Sequence, residues 1–140
     1  MNKPLKLLLL ALLAGCQTTV SKEELASVHY GPRPEDWQGA IRAYLDARIP
    51  DLKTAIVAFR TEPKPMLQKE TPLRARQWGW AICVWVNENH PRGYSGIYPM
   101  TFFFRDGKIV TVNGGPDDSN VIGGQYAREQ CEWLGSPFTP

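Results

Sequence analysis

The chain has 140 residues, with 12 Gly, 12 Pro, three Cys and 43% hydrophobic residues, which fits one small globular domain and excludes a fibrous or disordered chain. Its 16 basic and 14 acidic side chains leave a net charge of only +2, without the basic excess that nucleic-acid binders carry. The longest apolar run, residues 7–14, falls well short of the ~20 residues a membrane-spanning helix needs, so a polytopic membrane protein is excluded as well.

The first sixteen residues read as an address. Lys3 and Lys6 precede the apolar run, and the small residues Ala14 and Gly15 stand directly before Cys16, the arrangement of a secretory signal with its cleavage site. Leu13-Ala14-Gly15-Cys16 resembles the lipobox of bacterial lipoproteins. The resemblance implies removal of residues 1–15, acylation of Cys16 and a mature chain of 125 of the 140 residues. Two or three acyl chains, each contributing ~0.8 kcal/mol per buried CH₂, anchor a protein stably where one chain does not. By the sorting rule that accompanies this family, Gln17 in place of Asp implies the periplasmic face of the outer membrane. Loss of Lys3 and Lys6 leaves 14 basic against 14 acidic residues, a neutral mature chain.

Residues 16–33 mix Thr, Ser, Lys and Glu ahead of Gly31-Pro32-Arg33-Pro34, and read as a lipidated start followed by a spacer. A single domain is expected over 34–140. Pro34-Glu35-Asp36 suits a helix start, and Trp37, Ile41, Tyr44, Leu45 and Arg48 recur at three- and four-residue steps up to Pro50. Residues 54–60 are β-branched and apolar and read as a strand. Pro63, Pro65 and Pro72 then point to a long exposed loop over 61–77, a candidate contact surface.

Residues 78–87 carry two apolar sets of opposite parity, Trp80/Ile82/Val84/Val86 and Ala81/Cys83/Trp85, as a central strand does. Residues 100–105 form the next strand, Asp106-Gly107 is a strong two-residue hairpin signal, and 108–112 return antiparallel. A final helix is expected over 125–134, with Tyr126, Gln130, Cys131 and Leu134 on one side and Gly135 and Pro137 closing it. The fold class is therefore α+β: an antiparallel three- to four-stranded sheet with an N-terminal and a C-terminal helix. Since α+β folds segregate helices to one face, both helices are expected on the Cys83 side, leaving Trp78, Trp80 and Val84 as an exposed patch.

With Cys16 acylated, Cys83 and Cys131 remain as an even pair in an exported chain, which predicts a disulfide closing a 48-residue interval; two separate buried thiols are the alternative. Chemistry for catalysis is sparse. The two histidines, His29 and His90, do not lie at zinc-ligand spacing, and no nucleophile elbow, phosphate cradle or dinucleotide fingerprint is present. His90 with Asp106 is the best acid–base pair that can be drawn, at opposite ends of one strand. Asp117-Asp118-Ser119-Asn120 lacks the spacing of a calcium loop and reads as a solvated turn. No cofactor and no metal are expected.

The loop 87–96 is the most distinctive stretch, with Asn87, Asn89, Gly93 and Gly96 at turn positions around His90, Arg92 and Tyr94. From Cys83 to Phe104, the strand ending in Val86-Asn87, the Gly93-Tyr94-Ser95-Gly96 loop and the aromatic strand Phe102 to Phe104 resemble a hairpin of small bacterial envelope lipoproteins. That resemblance implies an envelope location and brings no activity. Five tryptophans and the Tyr94 loop favour a non-enzymatic, membrane-anchored lipoprotein that binds another envelope protein through Trp78, Trp80, His90, Arg92 and Tyr94. A periplasmic small-ligand carrier with a cavity between sheet and helices is the alternative, and a small hydrolase using His90 is the third reading.

Overall fold

An eleven-residue strand, Gln77–Asn87 (β3), organises the molecule because both of its faces are apolar and neither can be left in water. The computed structural model describes residues 19–116 and 121–139. In chain order these form helix α1 (Lys22–Ser27), helix α2 (Trp37–Asp46), strands β1 (Ile56–Phe59), β2 (Lys64–Gln68), β3, β4 (Asn89–His90), β5 (Gly93–Tyr94), β6 (Tyr98–Arg105) and β7 (Lys108–Asn113), and helix α3 (Val121–Trp133). The class is α+β with an antiparallel sheet. Five strands build a sheet only four strands wide, since β1 and β2 share one edge of β3 and β6 and β7 follow on the other.

That shared edge corrects the reading of 61–77 as an exposed loop. β1 pairs Phe59 with Val84 and β2 pairs Lys64 with Ala81, so five residues advance along the edge while β3 advances three. The surplus forms a bulge, and the Thr61 hydroxyl accepts from the Cys83 N–H at 2.9 Å in place of a backbone carbonyl. Pro65 is tolerated opposite Trp80 because an edge strand needs donors on one side only. Met66, Leu67 and Gln68 are buried. Residues 19–33, expected as a spacer, contain α1 and run back over the sheet as described below.

The Asp106-Gly107 turn forms as expected, with φ of +50° and +75° at its two residues, the signs a tight primed hairpin turn requires. Asp36 caps α2, its carboxylate accepting from the Gly39 N–H at 3.2 Å. α3 ends where Gly135 takes φ +93°: Gly135 N–H donates to Glu132 O and Ser136 N–H to Cys131 O, both at 2.9 Å.

The two helices lie on opposite faces, which corrects the one-sided arrangement. Trp37, Ile41, Leu45 and Ile49 pack on Ile82, Val84, Val86, Phe102 and Phe104, while Cys131 and Leu134 of the α3 segment pack with Met66, Ala81, Cys83 and Phe103 on the other side. The energetic reason is simple. Ile82, Val84, Val86, Phe102 and Phe104 are each at 0% exposure, and at ~1.5–3 kcal/mol per buried side chain their exposure would cost roughly 7–15 kcal/mol, comparable with the whole stability of a domain.

Candidate functional site

Trp78 and Trp80 do not form the open patch expected of them. Trp80 is half-buried, its indole N–H donates to Gly31 O at 3.1 Å, and the Tyr30 ring meets it edge-on at 6.5 Å. Burial pushes the Tyr30 hydroxyl up from its ordinary pKa. Gly31, at φ +71°, presses against Asp106, where a Cβ would come within 2.5 Å of the carboxylate. Trp78 carries the guanidinium of Arg105 3.8 Å from its ring centre and that of Arg76 at 5.1 Å. The chain that precedes α2 thus covers one indole, and arginines cover the other.

His90, Arg92 and Tyr94 come together at the far end of β3. There β4 and β5 pair Asn89 with Tyr94 and His90 with Gly93 in a two-stranded hairpin separate from the main sheet. Gly93 and Gly96 supply positive φ on its return side. Its base is held by four hydrogen bonds. Ser95 N–H donates to Glu88 O at 2.8 Å, Glu88 N–H to the Ser95 hydroxyl at 3.1 Å, Gly96 N–H to Asn87 Oδ1 at 3.1 Å, and the Tyr98 hydroxyl to the buried Glu88 carboxylate at 2.8 Å. Tyr94 is 55% exposed, and Ile56, paired with Asn87 on β1, and Ile97, which directly precedes β6, are 54% and 47% exposed. His90, Arg92 and Tyr94 therefore stand on a hairpin whose base is held by hydrogen bonds, at the end of the sheet where Ile56 and Ile97 are also exposed.

A cleft of about 510 Å³ runs along the hairpin, lined by Ile49, Pro50, Asp51, Glu88, Asn89 and His90. His90 Nε2 stands 4.0 Å from Glu88 Oε1, close enough for an ion pair once protonated and too far for a hydrogen bond. Asp106 lies past the opposite end of β6, about 25 Å away along the strand at ~3.3 Å per residue, so the pairing of His90 with Asp106 is not made. The Ser95 hydroxyl is engaged by the Glu88 N–H and the Gly96 carbonyl, a structural role. His29 is exposed on the chain leading from α1. Among the described residues no three His, Cys, Asp or Glu side chains gather as a metal site would require. Cys16 and residues 117–120 lie outside the described residues.

Cys83 and Cys131 are joined as a disulfide, with Cα atoms 5.1 Å apart and both side chains fully buried between β3 and α3. Beside it sits a polar cluster that sequence reasoning missed. Gln130 of α3 donates to Gln68 Oε1 at 2.6 Å and Gln77 Oε1 at 2.9 Å, and its own carbonyl accepts from Asn113 at 2.9 Å and from the Thr101 hydroxyl. Asn113 and Gln77 exchange a reciprocal pair of amide hydrogen bonds at 3.2 and 2.9 Å. One side chain from each of β2, β3, β6 and β7 thus meets one from α3. None of the five titrates, so the cluster positions the helix and offers no acid or base. The signal available in the sequence was Gln130 itself, a carboxamide inside the stripe shared with Tyr126, Cys131 and Leu134.

Compared with protein-family models, curated proteins and solved structures, the chain matches none.

Proposed function

We propose that this chain is a non-enzymatic envelope lipoprotein, acylated on Cys16 and held at the periplasmic face of the outer membrane, that binds another protein through the pole around Tyr94. The observation that carries the reading is the trio Tyr94, Ile97 and Ile56, each about half exposed, at one end of a sheet whose hairpin base is fixed by hydrogen bonds. Anchored aromatics on rigid supports make good interface anchors because little side-chain entropy is lost when they are buried. His90 and Arg92, both exposed, supply the polar rim. Trp78 and Trp80 leave the contact surface in this reading and become part of the packing.

Apart from a recess of about 200 Å³ lined by Tyr44, Leu45, Met100 and Gly115, the space under α2 is taken up by aliphatic and aromatic side chains and that under α3 by the disulfide and the carboxamide cluster, which weighs against an enclosed ligand cavity and hence against the carrier. The test is a photo-crosslinking amino acid placed at position 94 in the full chain in living cells. A discrete adduct from position 94, absent when the same group stands at the exposed Lys108 of the opposite pole, is the expected result. No adduct, or the same adducts from both positions, overturns the reading.

A further inference from the structure

One apolar surface lies where the chain comes in from Cys16. Between α1, β2 and the end of α3 runs a groove of about 450 Å³ lined by Val20, Leu25, Pro65, Leu67 and Trp133. Trp133 is 57% exposed, whereas Trp37 is buried and Trp78, Trp80 and Trp85 are half-buried. The surface continues along α3: Tyr126, two turns before Trp133 on the same side of the helix, donates to the carbonyl of Leu73, whose own side chain is 81% exposed.

The chain leading into this groove has little slack. Ser21 and Glu24 close a capping box on α1, Lys69 meets the Glu24 carboxylate at 2.9 Å, Tyr30 and Gly31 lie on Trp80, and Arg33 reaches Glu62 at 2.6 Å. Only Gln17 and Thr18 stand between Cys16 and Thr19. Three peptide steps span at most ~11 Å, little more than the headgroup layer on one side of a bilayer.

We infer that the face formed by α1, Pro65, Leu73 and Trp133 lies on the lipid bilayer that holds the Cys16 acyl chains, with the Trp133 indole in the headgroup region. The inference rests on the proposed acylation of Cys16. A three-step leash holds Thr19 at the interface, so the apolar groove beside it meets lipid before anything else. An indole with its ring half out of the protein fits that layer, since it pairs an apolar body with an N–H that stays hydrated. The 89–94 hairpin lies beyond Asn87, at the opposite end of β3 from the strand end that pairs with Gln68, and stays clear of the membrane.

The test uses the full acylated chain, purified in detergent and reconstituted into phosphatidylethanolamine/phosphatidylglycerol vesicles whose acyl chains are brominated, with unbrominated vesicles as reference. Bromine quenches indoles at the interface, so emission is expected to fall by about a fifth, one indole's share of five, with most of that loss abolished in Trp133→Phe. Equal quenching in both chains, or none in the acylated wild type, overturns the docking. The intact mass of the same preparation reads the anchor separately. An acylated chain without Trp133 quenching fails the docking alone, and a chain without acyl mass fails the anchor and the docking together.

Discussion

The two faces of the sheet are covered by different means. Under α2 the contact is apolar throughout: Ile41 and Leu45 on Ile82, Phe102 and Phe104, with Tyr44 edge-on to Phe102 at 5.4 Å. Under α3 a covalent bond and a cluster of four carboxamides and a hydroxyl stand where more apolar packing would serve. Apolar packing is tolerant of small shifts, because dispersion and burial have no direction. Hydrogen bonds and a disulfide admit one register. α2 is held strongly, and α3 is held in one place.

That contrast can be broken from either side. Phe102→Ala should cost most, about 3–5 kcal/mol, because it empties the middle of the α2 face; urea unfolding reads the loss directly. Replacing Cys83 and Cys131 together by Ala should cost about 2–4 kcal/mol, a drop in Tm of roughly ten degrees for a domain of this size. A smaller loss would mean that the carboxamide cluster alone suffices to seat α3. Gln130→Leu should cost about 1–3 kcal/mol, since Asn113, Gln77, Gln68 and Thr101 lose their common partner while buried or half-buried. Because those groups do not titrate, the same loss is expected at pH 5 and pH 9; a loss that varies across that range would point to a charge coupled to the cluster. Asp36→Ala removes the cap of α2 and should cost about 1 kcal/mol, testing whether the apolar face depends on local helix stability at all.

The gentlest perturbation touches neither face. A hydrogen bond from the Ser21 backbone, and then Lys69, hold the Glu24 carboxyl below its usual range. A depressed carboxylate favours the folded state above the ordinary Glu range, and that contribution is lost as pH falls through the folded value. Acidification should therefore loosen α1 before the sheet, visible as faster amide exchange over 22–27 while β3 stays protected.

The α2 face was legible in the sequence, and the α3 face only in part. Trp37, Ile41 and Leu45 at helical spacing, the double apolar parity of 78–87 and Asp106-Gly107 are local patterns, and each became the element it suggested. The Cys83–Cys131 bond followed from counting cysteines in a chain whose start reads as an export signal. Which side α2 would choose was not a local property, and the preference for one-sided helices failed because it ignored how much apolar surface it would leave in water. β2 was hidden by Pro63 and Pro65, which argue against a strand only where its donors are needed on both sides. The carboxamide cluster draws one residue from each of five elements, so no window of sequence contains it. At the proposed site, His90, Arg92, Tyr94 and Ile97 are neighbours in sequence, whereas Ile56 reaches the same end of the sheet only through the pairing of β1 with β3.

The broken edge formed by β1 and β2 has a consequence for how copies of this chain meet one another. An open sheet edge is an invitation to polymerise strand against strand. Along this edge the bulge at 60–63 interrupts the row of free backbone groups, and Pro65 removes one N–H from it altogether. A second copy sliding along this edge finds no continuous ladder to extend.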